Sequence, residues 1–224
     1  MASSSVYLYG PTRLPFQLYC LSNIKLMEIL ESHLPPNSFS LVEKWISQLS
    51  ILVKIKKSRN SKLGDFRVNK KGEYLISINK DLNKYAFLIT LTHEIAHAFV
   101  WEKYKRKVAP HGIEWKITFK EMMLNFLNAD IFPDDLLRPL SKHIKNPKAS
   151  TVNDYNLSDM LRKYDSNKQL ILSEIPDGSV FSTLSGRQFV KLNKLRKRYK
   201  CKATDSNKIY LFNPLAAVAL LDNK

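Results

Sequence analysis

Residues 93–97 read His-Glu-Ile-Ala-His. On a helix, positions four apart project from one face, one turn above the other. His93 and His97 are therefore placed to bind one zinc ion through their imidazoles at ~2.0–2.1 Å. Glu94 is rotated away from both but stays at the rim, where it can take a proton from a zinc-bound water. Zinc lowers the pKa of that water to ~7, so a nucleophile is available at neutral pH. Glu94 would then pass the proton to the leaving amine, acting first as general base and afterwards as general acid.

The surroundings of the motif favour a purpose. Leu91, Ile95, Ala96, Ala98, Phe99 and Val100 enclose it with apolar or small residues. Two histidines and a glutamate on such a helix are costly unless they are used. A catalytic zinc needs a third protein ligand and one open position. His111, in His111-Gly112-Ile113-Glu114-Trp115, is the best candidate, because the step of fourteen residues from His97 suffices to finish a helix, turn and return. Glu114 on the next helix is its competitor. Position 103 is Lys, which excludes the compact arrangement with a third histidine six residues after His97. His33 and His143 read as surface residues.

Elements that position these groups can be read from periodicity. Residues 22–32 and 39–49 have helical spacing, and Pro35-Pro36 stops the first. Residues 51–57 alternate as a half-buried strand, with Ile51, Val53 and Ile55 on one face. Residues 64–68 and 74–78 read as two more strands joined by Lys70-Lys71-Gly72. Asn79 or Asp81 is expected to cap a long buried helix running to about Lys105. Pro110 suits the first position of the next helix, which carries Trp115, Phe119, Met122 and Phe126 as its apolar stripe. Residues 134–140 read as a short helical piece and 141–154 as a linker. After a short helix over 157–164, strand candidates at 169–173, 180–184, 194–202 and 209–212 suggest a small antiparallel meander.

The paired motifs, Thr92 to Ala98 and His111 to Lys116, together with Lys62 to Arg67 and Ile76 to Asn79, resemble the SprT-like metallopeptidase family over roughly residues 35–130. The resemblance implies a zincin-type α+β fold, zinc on His93, His97 and His111, and Glu94 as catalytic acid/base. The eukaryotic Spartan branch of that family acts on proteins crosslinked to DNA, which implies a similar role here. Members often carry a C-terminal zinc ribbon with two Cys-x-x-Cys knuckles. This chain has only Cys20 and Cys201, with Thr204 where a second knuckle cysteine would fall. One cysteine cannot hold a ribbon zinc. The expectation is a metalloprotease domain over 1–145 and, over 146–224, a metal-free β module packed on Val180, Phe189, Tyr199, Ile209, Leu211 and Phe212.

Composition adds a partner class. With 36 basic and 20 acidic residues the net charge is +16, which suggests a polyanionic partner. The surplus lies in residues 51–110 and 151–224 rather than in a tail. Read as one strand, Lys194, Arg196, Arg198, Lys200 and Lys202 share a face, which would suit DNA phosphate contacts. No stretch approaches the ~20 apolar residues of a membrane span, the N-terminus does not read as a secretory signal, and two cysteines exclude a disulfide framework. A cytoplasmic location is the expectation, and DNA binding would place the protein at the nucleoid. Two functions remain in view: a zinc endopeptidase acting on a DNA-associated protein substrate, and a nucleic-acid-binding protein whose zinc is structural or vestigial.

Overall fold

The computed structural model describes residues 27–59, 62–150 and 154–221. Residues 27–32 are helical; the rest of the first expected helix, and Cys20, lie outside the described residues. The chain is α+β, with two separate apolar cores.

The first core is built around one helix. Helix α1 (Phe39–Gln48) buries Val42 and Ile46 and leads into strand β1 (Leu52–Lys56). Strands β2 (Gly64–Val68) and β3 (Tyr74–Asn79) form a hairpin, with Gly72 at its turn in the left-handed region (φ 81°) that glycine tolerates without steric cost. The sheet order is β1-β3-β2, with β1 parallel and β2 antiparallel to β3. Among the described residues strand β2 is thus an edge.

Helix α2 (Lys84–Tyr104) follows and is buried on nearly all sides through its middle. Its cap corrects the sequence reading. Asn83, not Asn79 or Asp81, accepts from the Tyr85 and Ala86 N–H groups. Asn79 instead ends β3, where its side-chain amide donates to the Arg59 and Lys62 carbonyls. The Asn83 amide also donates to Leu161 O and to Asp165 Oδ1, so one side chain ties the helix start to a later segment. Replacing Asn83 by Ala is expected to lower stability by about 1–2 kcal/mol, read as a shifted denaturant midpoint.

Helix α3 (Ile113–Leu124) starts later than Pro110 suggests, with Gly112 at its N-cap; Trp115, Phe119, Met122 and Phe126 are buried as expected. Helix α4 (Asp134–Lys145) runs five residues beyond the expected end, passing Pro139. Its buried stripe of Leu136, Leu140, His143 and Ile144 has helical spacing and needs the extra turn. The carbonyl that Pro139 leaves without a donor belongs to exposed Asp135, where water serves it. His143 is therefore not a surface residue. It is 2% exposed, and its Nδ1 lies 3.0 Å from Asp154 Oδ2. Asp154 caps helix α5 (Tyr155–Arg162), and Leu157 and Leu161 of that helix pack into the first core.

The second core belongs to a five-stranded antiparallel sheet. It contains β4 (Val180–Thr183), β5 (Gln188–Lys194), β6 (Tyr199–Ala203), β7 (Ile209–Phe212) and β8 (Val218–Leu220). Their order is β7-β6-β5-β4-β8. Residues 172–174 form a 3₁₀ turn rather than a strand, and Ile171 bridges Ala217. Phe181, Phe189, Tyr199, Cys201, Ala203 and Val218 point inward. Strand parity displaces part of the expected set: Ile209 and Leu211 are exposed, while their neighbours Tyr210 and Phe212 pack on the core. Val180 is half-buried beside the fully buried Phe181. Cys201 lies mid-strand in this core, and burial pushes its thiol up to about 11.

Candidate metal centre

Helix α2 carries His93 and His97 one turn apart, and the turn before α3 returns His111 to them. The three Nε2 atoms lie 3.0–3.2 Å from one another. Tetrahedral ligands at zinc distances are about 3.3 Å apart, so a small outward adjustment admits the ion. Burial above all, and then the neighbouring histidines, lower the pKa of His93 to about 2 and that of His97 to about 3. Burial lowers that of His111 as well. All three are thus neutral at physiological pH, the form that ligates. Geometry and protonation state both fit a three-histidine zinc site. Glu114, the competing ligand, is not a member of this cluster; its carboxylate lies back over Gly112.

Trp115 sets the imidazoles in place. It is fully buried, stacks on Phe119 with ring centroids 5.1 Å apart, and stacks on His97 at 5.3 Å. Its indole N–H donates to His93 O at 3.3 Å. The hydrogen bond and the stack on His97 hold α3 against the turn of α2 that carries the two histidines.

Glu94 is 8% exposed. Burial, reinforced by the Asp65 carboxylate, raises its pKa to about 8; the Phe66 N–H, Lys62 and Arg59 act against this. A divalent cation among the histidines would add a strong opposing field and favour the carboxylate. The carboxylate is held against the sheet edge. A Cβ built on Gly64 would fall 2.6 Å from Glu94 Oε1 and 2.8 Å from its Cγ and from Thr90 Cγ2.

Sequence reasoning did not single out Gly64, Asp65, Arg59 or the Phe66 N–H as supports of Glu94. A glycine inside a strand is the signal that was there to be read, since it marks close approach by another group. Gly64→Ala is expected to displace the Glu94 carboxylate and lower turnover by about 10²-fold, with zinc content unchanged. Metal analysis beside a cleavage assay checks both parts.

A cleft of about 810 Å³ opens over the histidines. Residues 64–69, which include all of edge strand β2, form one wall; Val100, Trp101, Lys105, Arg106 and residues 108–111 form much of the other. Ala149 also lines it, so the segment after α4 reaches the site.

The five basic residues expected on one face are divided. Residues 194–202 are not one strand: Lys194 at the end of β5 pairs with Tyr199 at the start of β6, and the Leu195 N–H donates to Arg198 O across the turn. Arg196 and Arg198 sit on the exposed turn beside Lys194, while Lys200 and Lys202 occupy the face of β6 away from the core. The turn forms because Phe189, Tyr199, Cys201 and Ala203 must all reach the same core, which one continuous strand could not arrange.

Residues 37–132 match the SprT-like family. That segment contains α1 to α3, the three-stranded sheet, the histidine cluster and Glu94, and it coincides closely with the resemblance carried by the motifs. No curated protein and no solved structure matches this chain. Among the described residues no helix is long and apolar enough to cross a membrane.

Proposed function

We propose that this SprT-like protein is a zinc-dependent endopeptidase that acts on DNA-associated or DNA-crosslinked proteins. The observation that carries the reading is the convergence of the His93, His97 and His111 Nε2 atoms within 3.2 Å in a cleft also lined by Glu94. Three ligands facing a cleft suit a catalytic site that keeps a position open, rather than a closed structural one. Zinc bound there would polarise the scissile carbonyl and acidify water. Glu94 then accepts the proton of the attacking water and delivers it to the leaving amine. The edge of β2 that no described strand pairs offers backbone N–H and C=O groups to an extended peptide, which strand addition would align along the cleft.

DNA targeting is drawn from charge. Lys200 and Lys202, with Lys194 at the end of β5 and Arg196 and Arg198 on the adjoining turn, form a basic end of the C-terminal sheet suited to phosphate contacts. In this reading the zinc ribbon of related proteins is replaced by a packed apolar core, and the protein works in the cytoplasm at the nucleoid.

The test is degradation of an unfolded protein by the zinc-loaded chain, with and without DNA and with and without chelator. Cleavage that needs zinc and rises with DNA is expected. Lys200→Ala/Lys202→Ala should weaken DNA binding and reduce its salt slope by about two. DNA binding with no cleavage would favour the structural-zinc alternative.

A further inference from the structure

We propose that the cleft selects extended peptides bearing acidic side chains beside the scissile bond, with Arg67 as the main determinant. The inference rests on the endopeptidase reading and adds a substrate class to it. Arg67 lies on edge strand β2, is exposed, and lines the cleft. No hydrogen bond or ion pair engages its guanidinium among the described residues. Arg106 lines the same cleft, with its guanidinium carbon 5.8 Å from the Trp101 ring centroid. Lys105 stands near it, 2.8 Å from Glu102.

The acidic side of the balance is small. The carboxylates lining the cleft are Glu94, buried beside the histidines, and Asp65, which pairs with Lys62 at 2.7 Å. Among the described residues Arg67 and Arg106 are thus cations without a carboxylate partner, on two walls of one groove. A groove whose exposed, unpaired charges share one sign attracts a ligand of the opposite sign and repels its own. A planar guanidinium also matches a carboxylate fork to fork.

Nucleic acid is the rival occupant. These cations, however, stand in the groove that leads to the histidines and Glu94. A strand of nucleic acid lying there would fill the space that the scissile peptide must enter. An acidic peptide satisfies the charge and the chemistry together.

The experiment separates selection from turnover. Zinc-loaded Glu94→Gln protein is titrated with two fluorescent peptides that differ only in carrying Glu or Lys on both sides of the central bond. A single-stranded oligonucleotide is titrated in parallel. The Glu peptide is expected to bind about tenfold more tightly than the Lys peptide. Arg67→Glu in the same background should remove or reverse that preference, and Arg67→Gln should halve its logarithm. Zinc content and the circular dichroism spectrum should stay unchanged in both.

With the active protein, the ratio of kcat/KM for the two peptides should follow the same order. Equal binding of both peptides, or equal losses for both in Arg67→Glu, overturns the inference. So does an oligonucleotide that needs Arg67 while the peptides do not. Efficient cleavage of both peptides without preference would sink the inference and leave the endopeptidase reading standing. Charge-selective binding with no cleavage of any peptide would do the reverse.

Discussion

Replacing Glu94 by Gln is expected to slow peptide-bond cleavage by about 10²–10⁴-fold while zinc content stays at the wild-type level. Glu94 is not one of the three clustered histidines that could hold a metal ion, so an ion held there would not depend on it. Gln has nearly the same shape and keeps an oxygen that can accept from the Phe66 N–H, which touches the wild-type carboxylate. What it loses is the capacity to take a proton. A structural defect would instead show as a changed spectrum or lost metal. The same variant has a second readout in the metal-free protein. The pKa of Glu94 is raised from an ordinary 4.5 to about 8. Its contribution to stability is fully present below pH ~4.5 and is lost as pH rises through about 8. Gln carries no such dependence. Metal-free Glu94→Gln protein should therefore melt progressively higher, relative to wild type, between those pH values. Retained cleavage would remove Glu94 from the chemistry, and parallel melting curves would remove its burial from the account.

The placement of the clustered histidines on their helix and beside the sheet was legible because it obeys local rules. His93 and His97 follow from helical spacing, and β2 and β3 follow from alternation broken by Lys70-Lys71-Gly72. The places where local rules misled are places where a side chain had a tertiary partner. Asn79 and Asn83 are equally good caps by type. The choice fell to Asn83 because the Asn79 amide is committed to the Arg59 and Lys62 carbonyls. His143 reads as exposed until α4 continues past Pro139 and buries it near Phe119, with ring centroids 6.2 Å apart. The basic run failed for a different reason. Alternation predicts a face only while the strand continues, and a turn between Lys194 and Tyr199 resets the parity. Gly64 was visible as a letter, but its meaning depends on Glu94, thirty residues away, lying against it.

His111→Ala is the variant on which the third ligand stands or falls. It is expected to weaken zinc binding by more than about 10²-fold, beyond what loss of a ligand's outer partner costs, and to reduce cleavage to background. His111 lies in a turn and is only half-buried, so removing its ring costs Trp115 one edge contact and leaves the Trp115–Phe119 stack in place. The folded protein can then be assayed for metal directly. Glu114→Ala supplies the contrast. Sequence alone leaves Glu114 in competition with His111, since either could return from α3 to the site. The side chain of Glu114 instead approaches the start of its own helix, with Oε2 3.0 Å from where a Gly112 Cβ would stand. A carboxylate there favours the helix N-terminus by about 0.3–1 kcal/mol. Glu114→Ala should therefore cost a little stability and leave zinc content unchanged. Zinc retained by His111→Ala, or lost from Glu114→Ala, would exchange the two roles. It would also require the turn at residues 109–112 to move, because the His111 ring now lies against both other ligands.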